Sequence, residues 1–540
     1  MSTASGAAAH TSKTAPEPPV ATPGTSPAAA PGIARSRTVA VVGTGTMGQG
    51  IAQVALVAGH PVRLYDALPG RAAQAADAIA ARLDRLVDKG RLPASQRDLA
   101  RARLLPADAL PELADAALVI EAVVEQLAVK RELFTELERV VTADCLLATN
   151  TSSLSVTAVA GTLQHPGRLV GLHFFNPAPL LPLVEVVRGF ATDEAAADLA
   201  YETVAGWGKT PVRCADTPGF IVNRVARPFY AEALRCYEER AADPATIDAV
   251  LRESGGFRMG PFELTDLIGQ DVNEAVTRSV WDAFFQDPKF TPSLAQRRLV
   301  ESGLHGRKTG RGWFTYADGS GAEPPVGRPA ARTAASQPPP EAVVVHGDLG
   351  PAAVLPELIS HAGIKVSYQG GADGEAGFVE LPGGARLGLT DGSTASASPF
   401  ADTLRFDLAL DYRTATRVAL AASDAARPAS VEAAVGLFQA LGKTVSVIDD
   451  VPGLIVARTV AMLVDFATDA QARHVAEAHD IDTAMRKGVN YPRGPLEWGD
   501  ELGAAWVRGV LDHLHTAYPT GRYAPSPLLV RRASARRDLL

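Results

Sequence analysis

The sequence predicts an internally duplicated protein: a doubly wound α/β domain, an all-helical domain, then a degenerate α/β segment and a second copy of the helical domain. Three observations carry this. Between residues 37 and 215, β-branched runs that end at glycines alternate with helical stretches, the signature of βαβ units and a parallel sheet. After Asp216 the pattern turns to long amphipathic stretches such as GFIVNRVARPFYAEALRCYEE, with apolar residues at helical spacing. Finally, GKTPVRCADTPGFIVNR, from Gly208 to Arg224, returns as GKTVSVIDDVPGLIVAR, from Gly442 to Arg458. The offset is 234 at Gly208/Gly442, Pro218/Pro452 and Arg224/Arg458, and again at Gly260/Gly494 and Pro261/Pro495. An offset held without drift over about fifty residues marks a duplicated domain, not a solenoid.

Composition bounds what such a chain can do. Its 540 residues exceed one hydrophobic core, and 46% hydrophobic with 21% charged residues is a globular balance. Lys and Arg number 52 against 60 Asp and Glu, a net charge of −8, which argues against nucleic acid as the main partner. No apolar run approaches the roughly 18 residues of a membrane span. Three irregularly spaced cysteines (Cys145, Cys214, Cys236) fit neither a disulfide framework nor a metal site, and they suit a reducing cytoplasm.

The expected organisation follows from these breaks. Residues 1–35, mostly Ala, Pro, Ser, Thr and Gly, read as a disordered tail without a targeting signal. The dinucleotide-type α/β domain spans 36–215 and its helical companion 216–316. Residues 317–341, which end in three prolines, read as a linker. The degenerate α/β segment covers 342–448 and the second helical domain 449–540.

The first strand-like run, RTVAVVGTG, leads into GTGTMG, which sets Gly43, Gly45 and Gly48 at G-x-G-x-x-G. An acidic residue, Asp66, ends the next strand-like run, at the separation from the glycines that a dinucleotide site requires. In this context the first glycine permits a tight turn, the second lets backbone approach a pyrophosphate, and the third allows close helix–strand packing. Met47 sits in the same loop. Asp66 would accept from the adenosine ribose hydroxyls and repel a 2′-phosphate, which favours NAD over NADP. The bland alternative is a tight βα turn with no ligand.

Several strings resemble the 3-hydroxyacyl-CoA dehydrogenase family: NTSSLSV (150–156), HFFNPAPLLPLVEVV (173–187), DTPGFIVNR (216–224), GPFELTDLIG (260–269) and GRKTGRGWFTY (306–316). The resemblance covers residues 37–316 nearly end to end. It implies a Rossmann NAD-binding domain, an all-α C-terminal domain and NAD-dependent oxidation of an L-3-hydroxyacyl-CoA. The whole chain is most similar to the long bacterial enzymes of phenylacetate catabolism, which implies 3-hydroxyadipyl-CoA as substrate, with 3-hydroxybutyryl-CoA as the alternative. No hydratase or thiolase pattern precedes residue 36, so a multifunctional β-oxidation protein is not expected.

Oxidising a secondary alcohol requires a base at the hydroxyl. His173, following a buried strand at the carboxyl edge of the sheet, has the right proton affinity. Glu185 comes after a Pro-rich turn that folds back, where a carboxylate could fix the tautomer and stabilise the imidazolium. The resemblance implies the same His–Glu pair. It also assigns Ser152 to the reacting oxygen, Asn223 to the active site, Glu125 and Lys130 to the neighbourhood of the cofactor, and Asn176 to a lesser substrate role. Surface salt-bridging is the alternative for Glu125 and Lys130. An Arg-rich helical excursion (71–104), with Lys89, is where the resemblance places CoA.

In the second half the turn reads HGDLG, Asn223 is matched by Ala457, and matching Arg417 to Arg168 implies that the stretch carrying the His and Glu has been deleted. That half is therefore expected to have no dinucleotide site and no chemistry, its helical domain packing on the first as an internal pseudo-dimer; a homo-oligomer stays open. Two other functions compete: a non-catalytic NAD or acyl-CoA scaffold, and a dehydrogenase of a free hydroxy acid.

Overall fold

The computed structural model describes residues 31–317, 325–371 and 376–540; most of the expected tail and the first part of the expected linker lie outside them. Described residues 31–35 are packed, not free. Ile33 N–H donates to Thr203 Oγ1 at 3.0 Å, and Arg35 donates to the carbonyls of Ala58 and Gly206.

The first α/β domain runs β1 (Thr38–Val42), α1 (Thr46–Ala58), β2 (Val62–Tyr65), α2 (Arg71–Asp88), α3 (Ala94–Ala102), β3 (Leu104–Ala107), β4 (Ala116–Glu121), α4 (Leu127–Val140), β5 (Leu146–Thr149), α5 (Val156–Ala160), β6 (Leu169–Phe174), β7 (Leu183–Arg188), α6 (Glu194–Gly206) and β8 (Thr210–Ala215). The sheet order is β3-β2-β1-β4-β5-β6-β7-β8. All neighbours are parallel except β6 and β7, which form an antiparallel hairpin. Helices cover both faces, so β4, β5 and β6 are buried at every position and read as continuous apolar runs. Strand order reverses at β1, and such switch points are where open α/β sheets bind ligands.

The first helical domain holds α7 (Val222–Val225), α8 (Arg227–Glu238), α9 (Pro244–Glu253), α10 (Pro261–Ile268), α11 (Gln270–Ala283) and α12 (Leu294–Glu301). The Gly-Pro pair that recurs in the sequence has a packing cause. Asp248 accepts the Phe262 and Glu263 N–H groups at 2.9 and 3.0 Å, capping α10. A Cβ on Gly260 would lie 2.2 Å from that carboxyl carbon. Asp482 repeats the device in the second copy, accepting from Leu496 and Glu497 with Gly494 against it.

The second half runs β9 (Ala342–His346), α13 (Leu355–His361), β10 (Lys365–Gln369), β11 (Phe378–Glu380), β12 (Arg386–Leu389), β13 (Thr403–Phe406), β14 (Arg417–Ala422), α14 (Pro428–Ala440) and β15 (Thr444–Val447). It then continues with α15 (Val456–Ala472), α16 (Ala478–Gly488), α17 (Pro495–Leu502), α18 (Ala504–Ala517) and α19 (Pro527–Ala535). Its sheet, β10-β9-β11-β12-β13-β14-β15, is reduced: an antiparallel β11/β12 hairpin stands where the first sheet has β4, α4 and β5.

The register overturns the expected deletion. In the first sheet His173 pairs with Glu185 across β6/β7. In the second, Phe406 pairs with Leu420, so the next pair outward is Asp407 and Ala419. Each stands at the same constant offset from its counterpart, His173 or Glu185, that relates the two helical domains. β14 falls on β7 and α14 on α6 at that offset too. Nothing is missing. The true match of Arg168 is Asp402, and Arg417 matches Leu183. RLVGL and RVALA both read as buried strands, and the pattern of one buried strand does not tell it from the next. Asp407 accepts the N–H groups of Ile455, Val456 and Ala457 at 2.7–3.0 Å, at the start of α15.

The two helical domains pack through α8 and α15. Arg224 donates to Asp469 at 2.6 Å; Arg458 donates to Glu232 and Glu239 at 2.8 and 2.6 Å. Burial alone would raise Glu232, but the charges of Arg522 and Arg458 outweigh it and bring its carboxyl down to about 2. Residues 325–341 are strapped across the domains. Arg328 bridges to Asp248 and Glu263, Arg332 N–H donates to Thr246 Oγ1, and Ala334 N–H to the Val445 carbonyl.

Candidate active site

At the end of β1 the chain turns at Gly43 (φ +93°), where a Cβ would sit 2.5 Å from the Ala122 carbonyl oxygen. A Cβ on Gly48 would fall 1.8 Å from the Gly43 carbonyl oxygen, so this helix can start so close to the strand only with glycine there. Gly45 is different: a Cβ there meets nothing within 4 Å. The first turn of α1 has no side-chain cap, which leaves its N–H groups without a side-chain partner. This is the cradle a pyrophosphate fits, at a helix N-terminus. Met47 packs, partly buried, on the adjacent core.

Asp66 completes the corner. Its Oδ2 accepts from the Thr44 N–H and hydroxyl at 2.9 and 2.7 Å, and Oδ1 accepts from Leu68 N–H. Burial acts to raise the carboxyl, but these bonds and Arg71 outweigh it, so it stays ionised below the usual range. An ionised carboxylate at the end of β2 suits a free ribose diol and opposes a phosphate.

A buried polar network lies beside it, and only part of it was legible in the sequence. Lys130 Nζ donates to Glu121 Oε1 at 2.5 Å and lies 3.2 Å from Glu125. Glu121 also accepts from Thr149 Oγ1 and Val123 N–H, both at 2.7 Å. Glu125 Oε1 accepts from Thr151 Oγ1, the N–H groups of Ser152 and Ser153, and Ser153 Oγ. Glu125 and Lys130 therefore fix the NTSS loop; Lys130 is buried, so its expected alternative as a surface salt bridge falls away. No short spacing in the sequence marks Thr149 and Thr151, whereas a glutamate closing the apolar strand AALVIE is a signal for Glu121.

His173 and Glu185 meet as cross-strand partners, His173 within β6 and not after it. Nδ1 lies 2.6 Å from Glu185 Oε2. Glu185 is fully buried, and its other oxygen accepts the Ile221 and Val222 N–H groups at 3.0 and 2.9 Å. The carboxylate is thus aimed by the start of the helical domain. With Nδ1 committed to it, Nε2 is the ring nitrogen left for substrate, and it has no hydrogen-bond partner among the described residues. Phe175 and Phe220 flank the ring at 4.5 and 5.8 Å. Asn223, in α7, donates to the Ser152 carbonyl at 3.5 Å, which brings both expected residues to the same place.

A cavity of about 320 Å³ has Asn176, three residues after His173, in its lining. The start of α1, the turn Asn176–Leu180 and the end of α2 line it, with Arg82, Arg85, Lys89 and Arg91 along one side. Asn176 and Lys89, far apart in sequence, meet here. Four cations round one cavity suit phosphates and not a bare apolar ligand. Among the described residues, no cluster of His, Cys, Asp and Glu could hold a metal, and no helix is long and apolar enough to cross a membrane.

Comparison with known proteins agrees with this geometry. Residues 38–217 match the 3-hydroxyacyl-CoA dehydrogenase NAD binding domain, and residues 219–316 and 453–538 both match the C-terminal domain of that family. Residues 387–452 match a 3-hydroxybutyryl-CoA dehydrogenase reduced Rossmann-fold domain. An Escherichia coli protein named 3-hydroxyadipyl-CoA dehydrogenase is 45% identical over 92% of this chain and 97% of its own. A Mycobacterium tuberculosis 3-hydroxybutyryl-CoA dehydrogenase is 41% identical over 52% of this chain and 98% of its own. A crystal structure of an E. coli 3-hydroxybutyryl-CoA dehydrogenase superposes with a TM-score of 0.83 at 43% identity, covering 93% of this chain and 99% of that one. With two copies of the helical domain, one intact dinucleotide corner and one reduced sheet, the chain belongs to the 3-hydroxyacyl-CoA dehydrogenase family and is an NAD-dependent oxidoreductase.

Proposed function

We propose that the chain oxidises an L-3-hydroxyacyl-CoA to the 3-oxoacyl-CoA, with His173 as the base and Glu185 orienting it. The observation that carries this is the 2.6 Å His173–Glu185 contact, with Glu185 held from behind by two backbone N–H groups. Gly43, Gly45, Met47, Gly48 and Asp66 would hold NAD, which when bound would supply the acceptor for the hydride that leaves C3 of the substrate. His173 Nε2 takes the hydroxyl proton, and Glu185 stabilises the imidazolium that results. Ser152 and Asn223 stand beside the reacting oxygen. Arg82, Arg85, Lys89 and Arg91 meet the CoA phosphates, and Asn176 closes the other wall of that cavity.

The near-full-length relative supports 3-hydroxyadipyl-CoA as the substrate, with 3-hydroxybutyryl-CoA as the alternative. The second half supplies a packing partner, making one chain an internal pseudo-dimer. Three buried free cysteines in the chain support a reducing compartment, the cytoplasm. NADH consumption with acetoacetyl-CoA, on wild type, His173→Ala and Glu185→Gln, tests the reading. Turnover lost by orders of magnitude in both variants, with NADH binding intact, supports it. Turnover indifferent to both changes sinks the mechanism. NADH binding without turnover points to a free hydroxy acid or a scaffold.

A further inference from the structure

Arg227 opens α8 one turn beyond Asn223. Ala226, between α7 and α8, keeps right-handed helical backbone, so Asn223 and Arg227 stand at i and i+4 on one face, about 6 Å apart along the axis. Arg227 is 6% exposed. Its Nη1 donates to Thr277 Oγ1 at 3.1 Å, and its guanidinium lies 5.1 Å from the Tyr230 ring. Its Nε is buried without a partner. No carboxylate among the described residues comes within ion-pair distance of it.

Other buried arginines at this domain junction are neutralised: Arg224 by Asp469, Arg458 by Glu232 and Glu239, and Arg522 by Glu232. A buried cation with no counter-ion is costly, and burial pulls the Arg227 proton affinity down.

A second orphan donor stands near it. Tyr491, in the turn after α16, has a buried hydroxyl with no hydrogen-bond partner, and its ring packs on Phe229 and Phe257 at 5.7 and 5.1 Å. The start of that turn touches the catalytic elements directly: a Cβ on Gly488 would lie 2.5 Å from Leu183, on the strand that carries Glu185, and 3.2 Å from Val222, next to Asn223. So two unsatisfied donors, one charged, sit beside the elements that carry Glu185 and Asn223. Together they ask for an anion that the protein does not supply.

We propose that Arg227 and Tyr491 receive the free terminal carboxylate of a dicarboxylic 3-hydroxyacyl thioester. The inference rests on the reading of His173 as the base, since it takes the reacting carbon to lie between His173 and Asn223. In a six-carbon diacid, three C–C bonds, about 4 Å, separate that carbon from the terminal carboxyl carbon. The rise from Asn223 to Arg227 is about 2 Å more, and the arginine side chain covers the remainder. The degenerate half then contributes a substrate contact, Tyr491, as well as packing.

The test compares kcat/KM for 3-hydroxyadipyl-CoA with that for 3-hydroxyhexanoyl-CoA, equal in length but ending in methyl, on the full chain. Wild type should prefer the carboxylate substrate by about 100-fold, the worth of a charge-assisted pair. Arg227→Met should collapse that ratio, Arg227→Lys should keep most of it, and Tyr491→Phe should lower it by about tenfold. A wild type without preference overturns the proposal, as does an Arg227→Met variant that lowers both substrates by one factor. Should Arg227→Met fail to fold, a Tyr491→Phe ratio equal to wild type overturns it. A wild type without preference whose hexanoyl turnover still depends on His173 leaves the dehydrogenase reading standing while this inference falls. No turnover of either substrate overturns both.

Discussion

Replacing Glu185 with Gln separates holding the histidine from choosing its tautomer. Glu185 Oε1 faces the N–H groups of Ile221 and Val222, and Oε2 faces His173 Nδ1. A glutamine has one oxygen, and the two fixed donors claim it, because the opposite orientation sets an NH2 group against two N–H groups. The amide nitrogen then faces Nδ1 and requires a lone pair there, which moves the ring proton to Nε2. In that form Nε2 can neither take the hydroxyl proton nor let the ring become an imidazolium stabilised by a carboxylate. The corresponding acid-to-amide change in Ser-His-Asp proteases lowers kcat about 10⁴-fold, and the same is expected here, about 5.4 kcal/mol on the barrier. The assay is NADH-dependent reduction of acetoacetyl-CoA under saturating substrate, with thermal unfolding and NADH binding measured alongside. The melting temperature should hold, because both backbone donors keep their acceptor. A variant within tenfold of the wild-type rate would refute the tautomer argument.

The cofactor corner separates likewise: Gly45→Ala should weaken NADH binding by about tenfold or more at unchanged melting temperature, since only the ligand's space is taken, whereas Gly48→Ala should destabilise the fold by calorimetry. Lys130→Met leaves the buried Glu121 without its cation, and should cost about 3–5 kcal/mol in chemical denaturation. Burial acts to raise Glu125, but Lys130 and the bonds from Thr151, Ser152 and Ser153 hold it below the usual range. Its stabilisation is therefore full above its unfolded value and lost as pH falls through the folded one; Glu125→Gln should lower the melting temperature at pH 7 and cease to do so in acid. Asp407→Ala strips the acceptor from three N–H groups at the start of α15 and should lower stability by about 3 kcal/mol in urea unfolding.

What the sequence disclosed follows from which interactions are local. The glycine corner is a short run plus Asp66, and each glycine answers to backbone geometry within the βα unit. His173 and Glu185 were visible as a pair because a hairpin joins them. Glu121, Thr149 and Thr151 were not, because their network closes between β4, β5 and α4, and no short spacing relates them. Arg227 escaped for a different reason. In sequence it is one more arginine in an amphipathic helix, and only the absence of a counter-ion in three dimensions sets it apart. Two adjacent buried strands, β6 and β7, share a pattern that residue type alone does not resolve, so the counterpart of each in the second half is settled only by the hairpin register.

That register also explains how a duplicated copy lost its chemistry without losing its fold. Glu185 does two things: it orients His173 and it accepts the N–H groups that start the helical domain. Only the second is needed for folding. In the second copy the Glu position is Ala419, and the acceptor has moved across the hairpin to Asp407, the His position. From there a shorter carboxylate reaches the equivalent amides of Ile455 and Val456, with Ala457 added. The site can then carry no imidazole, since the position that would hold it is occupied by the capping acid. Restoring the His–Glu pair there takes both changes at once, Asp407→His with Ala419→Glu, because either alone leaves the helix start uncapped or over-supplied with acid. Structural capping and catalysis share one hairpin in this fold, so the second copy could shed the glutamate only by finding another acceptor for its helix.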